Sequence, residues 1–158
     1  MKLMTQKFGE IEVPDNKIIT MIKPILGFES LTKFCLVENE EMLPFLWLQA
    51  IEEGSVSFIV VNPKVLVDDY NIEVNKIELA ELEIDQVKSV ETYVIATIPD
   101  DPMEMSVNLQ GPILINTENN FGKQLVLVNS KYNVCHNVMD AVEYENEEKV
   151  TQREEVIV

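Results

Sequence analysis

The sequence predicts a mostly β protein: a single small antiparallel, β-barrel-like domain with one short helix and a charged C-terminal tail. Three observations predict it. Apolar and polar residues alternate with period two along short, β-branched runs over most of the chain. Pro14, Pro24, Pro44, Pro63, Pro99, Pro102 and Pro112 fall at the ends of those runs, where a missing N–H costs no central ladder bond. With 158 residues and a hydrophobic share of 46%, the chain can bury a core as one domain without a disulfide or a metal.

The candidate strands, in order, are Lys2–Phe8, Glu10–Val13, Lys17–Ile22, Lys33–Glu38, Phe45–Ile51, Ser55–Asn62, Val90–Ile98, Met105–Leu109, Ile113–Thr117 and Lys123–Asn129. Phe45–Ile51 and Ser55–Val61 are joined by Glu52-Glu53-Gly54, a three-residue connection that suits a bulged hairpin. A second hairpin joins Ile113–Thr117 to Lys123–Asn129 through Glu118–Gly122. The rhythm breaks at Asn75, which can cap a helix of about two turns rich in Leu, Ala and Glu, with Glu78 placed to complete a capping box. Residues 1–138 make up the domain. Residues 139–158 form an acidic tail, too poor in apolar residues to dock firmly and expected to be loosely helical or disordered.

Charge narrows the function. Twelve Lys and Arg stand against 28 Asp and Glu, a net charge of −16. Such a surface repels phosphate, which argues against direct nucleic-acid binding and against an anionic membrane. The whole excess lies in three segments, Glu38–Glu53 with −5, Asp68–Glu91 with −6 and the tail with −5. Charge runs commonly form solvated faces, and they can also dock a basic partner. No signal peptide and no run of membrane-spanning length is read, and Cys35 and Cys135 are expected as reduced thiols, so the expected compartment is the cytoplasm.

Catalytic motifs are missing. The lone His136, beside Cys135, lacks the spaced companions of a zinc site, and the five glycines form neither a dinucleotide fingerprint nor a phosphate loop. No cofactor, metal site or enzymatic activity is expected. The run Asn108-Leu109-Gln110-Gly111-Pro112-Ile113-Leu114-Ile115-Asn116 is distinctive. Asn108 and Gln110 either satisfy the backbone of a turn, with Gly111 supplying its conformation, or form with Asn116 a polar platform beside strand edges that captures a partner's backbone. Phe45, Trp47 and Phe58 read as core residues, with an interface as the alternative, since Trp is enriched at binding hot spots.

The order of motifs resembles the flagellar assembly factor FliW family. It runs Phe8-Gly9-Glu10-Ile11-Glu12-Val13, Gly27-Phe28-Glu29, Pro44-Phe45-Leu46-Trp47-Leu48-Gln49, Phe58-Ile59-Val60-Val61-Asn62-Pro63, Ala96-Thr97-Ile98-Pro99-Asp100-Asp101-Pro102 and Asn108 to Asn116, then Gly122-Lys123-Gln124 ahead of Ser130-Lys131-Tyr132. The chain departs from the family pattern at Pro24-Ile25-Leu26-Gly27, where the family often has Gly-Ile-Pro-Gly, and at Cys135-His136, where it often has Arg-His. The resemblance implies a non-catalytic β-barrel-like protein with two alternative partners. One is the RNA-binding translational regulator CsrA, whose repression of flagellin messenger RNA is relieved. The other is flagellin itself, whose apolar segments call for an apolar groove or strand edges; Phe28, Phe45 and Phe121 are candidates for it, with core packing the better use of each. On this reading Asp68, Asp69 and Glu73, with Asp100 and Asp101, contribute to the CsrA face, and Asn108, Gln110 and Asn116 lie close by. The competing expectation is a small-ligand-binding β-barrel, which needs a lined internal cavity. A metal-dependent hydrolase would need carboxylates converging with Cys135 or His136.

Overall fold

The computed structural model describes residues 1–84, 87–128, 131–139 and 155–157. Its elements are β1 (Lys2–Thr5), β2 (Gly9–Glu12), β3 (Ile19–Lys23), β4 (Lys33–Val37), β5 (Leu46–Ala50), β6 (Ser57–Val61), β7 (Glu73–Asn75), α1 (Lys76–Glu81), β8 (Val90–Thr97), β9 (Ser106–Val107), β10 (Ile113–Asn116), β11 (Phe121–Gln124), β12 (His136–Asn137) and β13 (Glu155–Ile157). Seven strands close a barrel in the order β3, β4, β5, β6, β8, β10, β11, with β11 returning to β3. Neighbours in this ring are antiparallel except at the closure, where β11 and β3 are parallel. Parity requires it: in a ring of seven strands that alternate in direction, the first and last run the same way. The expected antiparallel barrel therefore carries one parallel seam.

Each expected strand overlaps an observed one, and the differences in extent have local causes. The first ends at Thr5, whose hydroxyl accepts from the Phe8 N–H at 2.9 Å and donates to the Gly9 carbonyl at 2.8 Å, tying Gln6–Phe8 into the turn. The last begins at Phe121 and stops at Gln124. Asn116 and Asn119 accept from the N–H groups of Glu118 and Phe121, each at 3.0 Å, and Asn120 takes φ 59°, so the hairpin turn closes earlier than its composition implied. Three short strands, β7, β12 and β13, were not anticipated. β13 differs from the expectation of a loosely helical or disordered tail, and residues 140–154 and 158 lie outside the described residues.

Packing divides into three layers. Alternate residues from around the ring, among them Ile19, Met21, Phe34, Leu48, Ala50, Val60, Ile113 and Ile115, fill the barrel. The opposite faces of β6, β8 and β10, through Val61, Val94, Ala96 and Leu114, pack under the connection from β6 to β8, which contributes Val67, Tyr70, Ile72, Val74, Leu79 and Leu82. On another side, the β1–β2 hairpin lays Leu3 with Val13 over Cys35, a small third cluster. Phe45 and Phe121 are half-buried against the second of these cores.

α1 forms where Asn75 was expected to start it, the Asn75 side chain accepting from the Ile77 N–H at 2.7 Å. Glu78, expected to complete a capping box, reaches instead across to Lys123 of β11 at 3.4 Å.

Candidate functional site

The connection from β6 to β8 places the acidic residues on the outer face of the barrel. Its path is fixed by Tyr70, a buried residue whose hydroxyl donates to the Leu109 carbonyl at 2.8 Å and whose ring packs on Tyr132 with centroids 4.4 Å apart. Burial, with Tyr132 beside it, pushes the Tyr70 hydroxyl well above the ordinary tyrosine range, so it remains a donor. The Tyr132 hydroxyl in turn accepts from the Asn71 N–H at 2.9 Å. Around these anchors Asp68 and Glu73 are exposed and Asp69 is half-buried.

Farther along, the acids turn structural. Lys123 is only 2% exposed, and its ammonium lies 2.8 Å from Glu81 and 3.4 Å from Glu78, both on α1. Lys23 adds a second contact to Glu81 at 3.4 Å. The Lys123 ammonium holds the Glu81 carboxyl below the usual carboxylate range. Asn116 is fully buried and donates to the carbonyls of Leu82 and Glu83 at 3.0 and 3.3 Å, satisfying the end of α1. Asn119 donates to Leu82 as well, at 3.1 Å.

The other sequence-nominated residues divide between the tip and the base of the β8–β9 hairpin. Asp100 and Asp101 are exposed at its tip, where Asp101 accepts from the Met103 N–H at 3.0 Å and caps a 3₁₀ turn over Pro102–Glu104. At its base, Asn108 accepts from the N–H groups of Gln110 and Gly111 at 3.0 and 3.1 Å, the turn-satisfying arrangement. Gln110 is half-buried beside it. The Tyr70–Leu109 bond brings the Asp68–Glu73 segment against the Asn108–Gln110 backbone, whereas Asn116 is at the opposite end of β10.

Asn108 also lines a cleft of about 320 Å³ at the mouth of the barrel, with Ile25, Leu26, Phe28, Phe58, Ile95, Thr97, Ser106, Gln124 and Val134. Phe28 packs edge-on against Phe58 with centroids 4.8 Å apart, and Leu26 is 65% exposed on the lip. Gln124 holds the lip in place: its side chain accepts from the Leu26 N–H at 2.9 Å and donates to the Gly111 carbonyl at 3.1 Å. Apart from Phe28 and Asn108, and Phe58 as a core residue, the sequence does not single out these lining residues. The available signal was Leu26-Gly27-Phe28, two large apolar side chains flanking a glycine at φ +89° in a turn, where polar residues are usual. The cleft lies over a filled interior, which disfavours the reading as a small-ligand barrel.

Both cysteines are free thiols, Cys35 buried and Cys135 exposed. Among the described residues no group of three or more His, Cys, Asp or Glu side chains is placed to hold a metal, and no helix is long and apolar enough to cross a membrane.

Comparison with known proteins agrees across sequence and fold. The family described as FliW protein matches residues 2–138. The flagellar assembly factor FliW of Alkaliphilus metalliredigens is 36% identical over 144 residues, covering 90% of this chain and 89% of that protein. The factor of the same name from Thermosipho africanus is 40% identical over 135 residues, covering 85% and 93%. A crystal structure of the flagellar assembly factor FliW superposes with a TM-score of 0.83 at 31% identity, covering 90% of this chain and 100% of that one.

Proposed function

The chain belongs to the FliW family, and from that membership we propose that it serves flagellar assembly as a non-catalytic cytoplasmic protein that binds a CsrA-type RNA-binding regulator and, alternatively, flagellin. The observation that carries the regulator half is the acidic flank. Asp68, Asp69 and Glu73 are presented by a connection pinned through Tyr70, and a protein that binds RNA must offer the positive surface such a flank attracts. Asp100 and Asp101 extend the negative field at the hairpin tip, and Asn108 and Gln110 lie between the two. Asn116 acts from beneath, by holding α1, without touching the partner. Bound to the regulator, a body of charge −16 opposes the approach of phosphate even where it covers no RNA contact. Each 1.4 kcal/mol of such coupling, roughly, lowers RNA affinity tenfold.

The barrel mouth supports the flagellin half. A cleft of mixed lining, with Leu26 and Phe28 on its lip and Thr97, Ser106, Asn108 and Gln124 as its polar groups, suits a segment with an apolar face that must be held before assembly.

Calorimetric titration tests both halves. Against a CsrA-type regulator, the D68K/D69K/E73K variant is expected to bind at least about tenfold more weakly at low salt and to lose less affinity as salt rises. Leu26→Glu is expected to weaken flagellin binding and leave the regulator's affinity unchanged. Equal affinities and equal salt slopes for parent and charge-reversed chains would sink the assignment of the flank.

A further inference from the structure

Beyond residue 138, where the family match ends, the chain continues into its acidic tail, and Glu155–Ile157 comes back to the domain as β13. β13 pairs antiparallel with β7, with Glu155 opposite Asn75, Val156 opposite Val74 and Ile157 opposite Glu73. β7 has no other strand partner among the described residues. We propose that β13 is a cis-acting competitor, a strand of the chain's own tail that covers the β7 edge beside Asp68, Asp69 and Glu73 and that a basic partner displaces. The inference rests on the reading above that this flank receives the regulator.

Three physical terms set the balance of the device. The pairing spans three residues on each strand, and a two-stranded ribbon is marginal in water. Covalent connection compensates, since β13 belongs to the same chain as β7 and their encounter is intramolecular. Charge opposes closure, because Glu155 is brought against β7, part of the Asp68–Glu91 segment of −6, while Val156 and Ile157 have high strand propensity. The closed form is thus held by backbone pairing and strand propensity against electrostatic repulsion. A positively charged partner reverses that repulsion as it arrives. Its apparent dissociation constant is the intrinsic one divided by the fraction of chains with β7 open.

The test uses the full chain with Val156→Pro and Ile157→Pro together. Adjacent prolines remove N–H donors from both alternations of an antiparallel ladder, and neither substitution alters the charge. Hydrogen exchange of the Glu73–Asn75 amides and calorimetric affinity for a CsrA-type regulator are compared between parent and variant. The β7 amides are expected to exchange faster and the regulator to bind on the order of tenfold more tightly, as for a closed form outnumbering the open one about ten to one. Raising salt, which screens the repulsion that opens the parent, is expected to widen that difference. Faster exchange with unchanged affinity overturns the competitor and leaves the binding flank standing. Unchanged exchange overturns the pairing itself. A regulator that binds neither chain removes the functional reading along with it.

Discussion

Lys123 is a lysine on a strand, at 2% exposure, with two glutamates of α1 as its counter-ions. The two sides of this cluster are unequal. The glutamates are partly solvated, so losing the lysine strands no buried charge, whereas losing both glutamates leaves a buried ammonium uncompensated. We therefore expect E78Q/E81Q to be clearly less stable than the parent in urea unfolding and Lys123→Met to be near neutral or stabilising. Losses of equal size from both would place the worth of the cluster in the ion pairs themselves. The pH dependence has a definite sign. Because the folded Glu81 carboxyl titrates below its ordinary value near 4.5, its contribution is present above that pH and is lost as pH falls through the lower, folded pKa. Glu81→Gln is accordingly expected to flatten the decline of stability below pH 4.5. None of this was legible in the sequence, since the Lys123 partner Glu81 lies 42 residues upstream and a lysine in a strand reads as solvent-facing. Asn75 was legible, because its partner is only two residues away.

Elements were legible where they were long enough to show a period. The seven barrel strands are four to eight residues of alternating or β-branched sequence; six appear where expected, within about two residues at either end, and β11 is displaced toward its turn. β7, β12 and β13 are two or three residues long and have no period to detect; only their partners define them. Gly54 illustrates a meaning that lies outside its own element. In the sequence it is the glycine of a bulged hairpin, but in the fold the backbone of the β1–β2 hairpin crosses it, and a Cβ there would collide with the Met4 carbonyl. Gln49, buried in the adjacent strand, donates to the carbonyls of Ala50, Gly54 and Val56 at 3.0, 3.2 and 3.1 Å and fixes that loop beneath the hairpin. Gly54→Ala is expected to lift the hairpin and cost about 1–3 kcal/mol, seen as a lowered melting temperature. An unchanged melt would mean that the hairpin re-seats without loss. The mouth was the least legible feature, because its residues come from the β3–β4 turn, β6, β8, β9, Asn108, β11 and Val134 and meet only once the ring is closed.

At the scale of the whole molecule, a charge of −16 acts on the fold as well as on partners. Like charges at this density repel within the compact state, and salt screens them. The melting temperature is expected to rise by a few degrees as the Debye length falls from about 30 Å at ~0.01 M salt to about 3 Å at ~1 M. A fall over that range would mean that attractive pairs such as Lys123–Glu81 outweigh the repulsion. The same acids are divided between two tasks: Glu78 and Glu81 fasten α1 to the barrel, while Asp68, Asp69 and Glu73 remain on its outer face. The mouth is elsewhere, and the short stretch from Asn108 to Gly111 touches both regions, through Tyr70 on one side and the cleft on the other.

The parallel seam between β3 and β11 also gives the barrel a mechanical direction. The chain enters β3 at one end of the barrel and leaves β11 at the other, so a stretching force applied on either side of the barrel would pull these neighbours past each other along their length. Their cross-links, among them the Thr20 N–H to the Asn120 carbonyl at 2.9 Å, would be loaded together in shear instead of being unzipped one after another. Seven strands, an odd number, thus place the load-bearing joint of the molecule where its first and last staves meet.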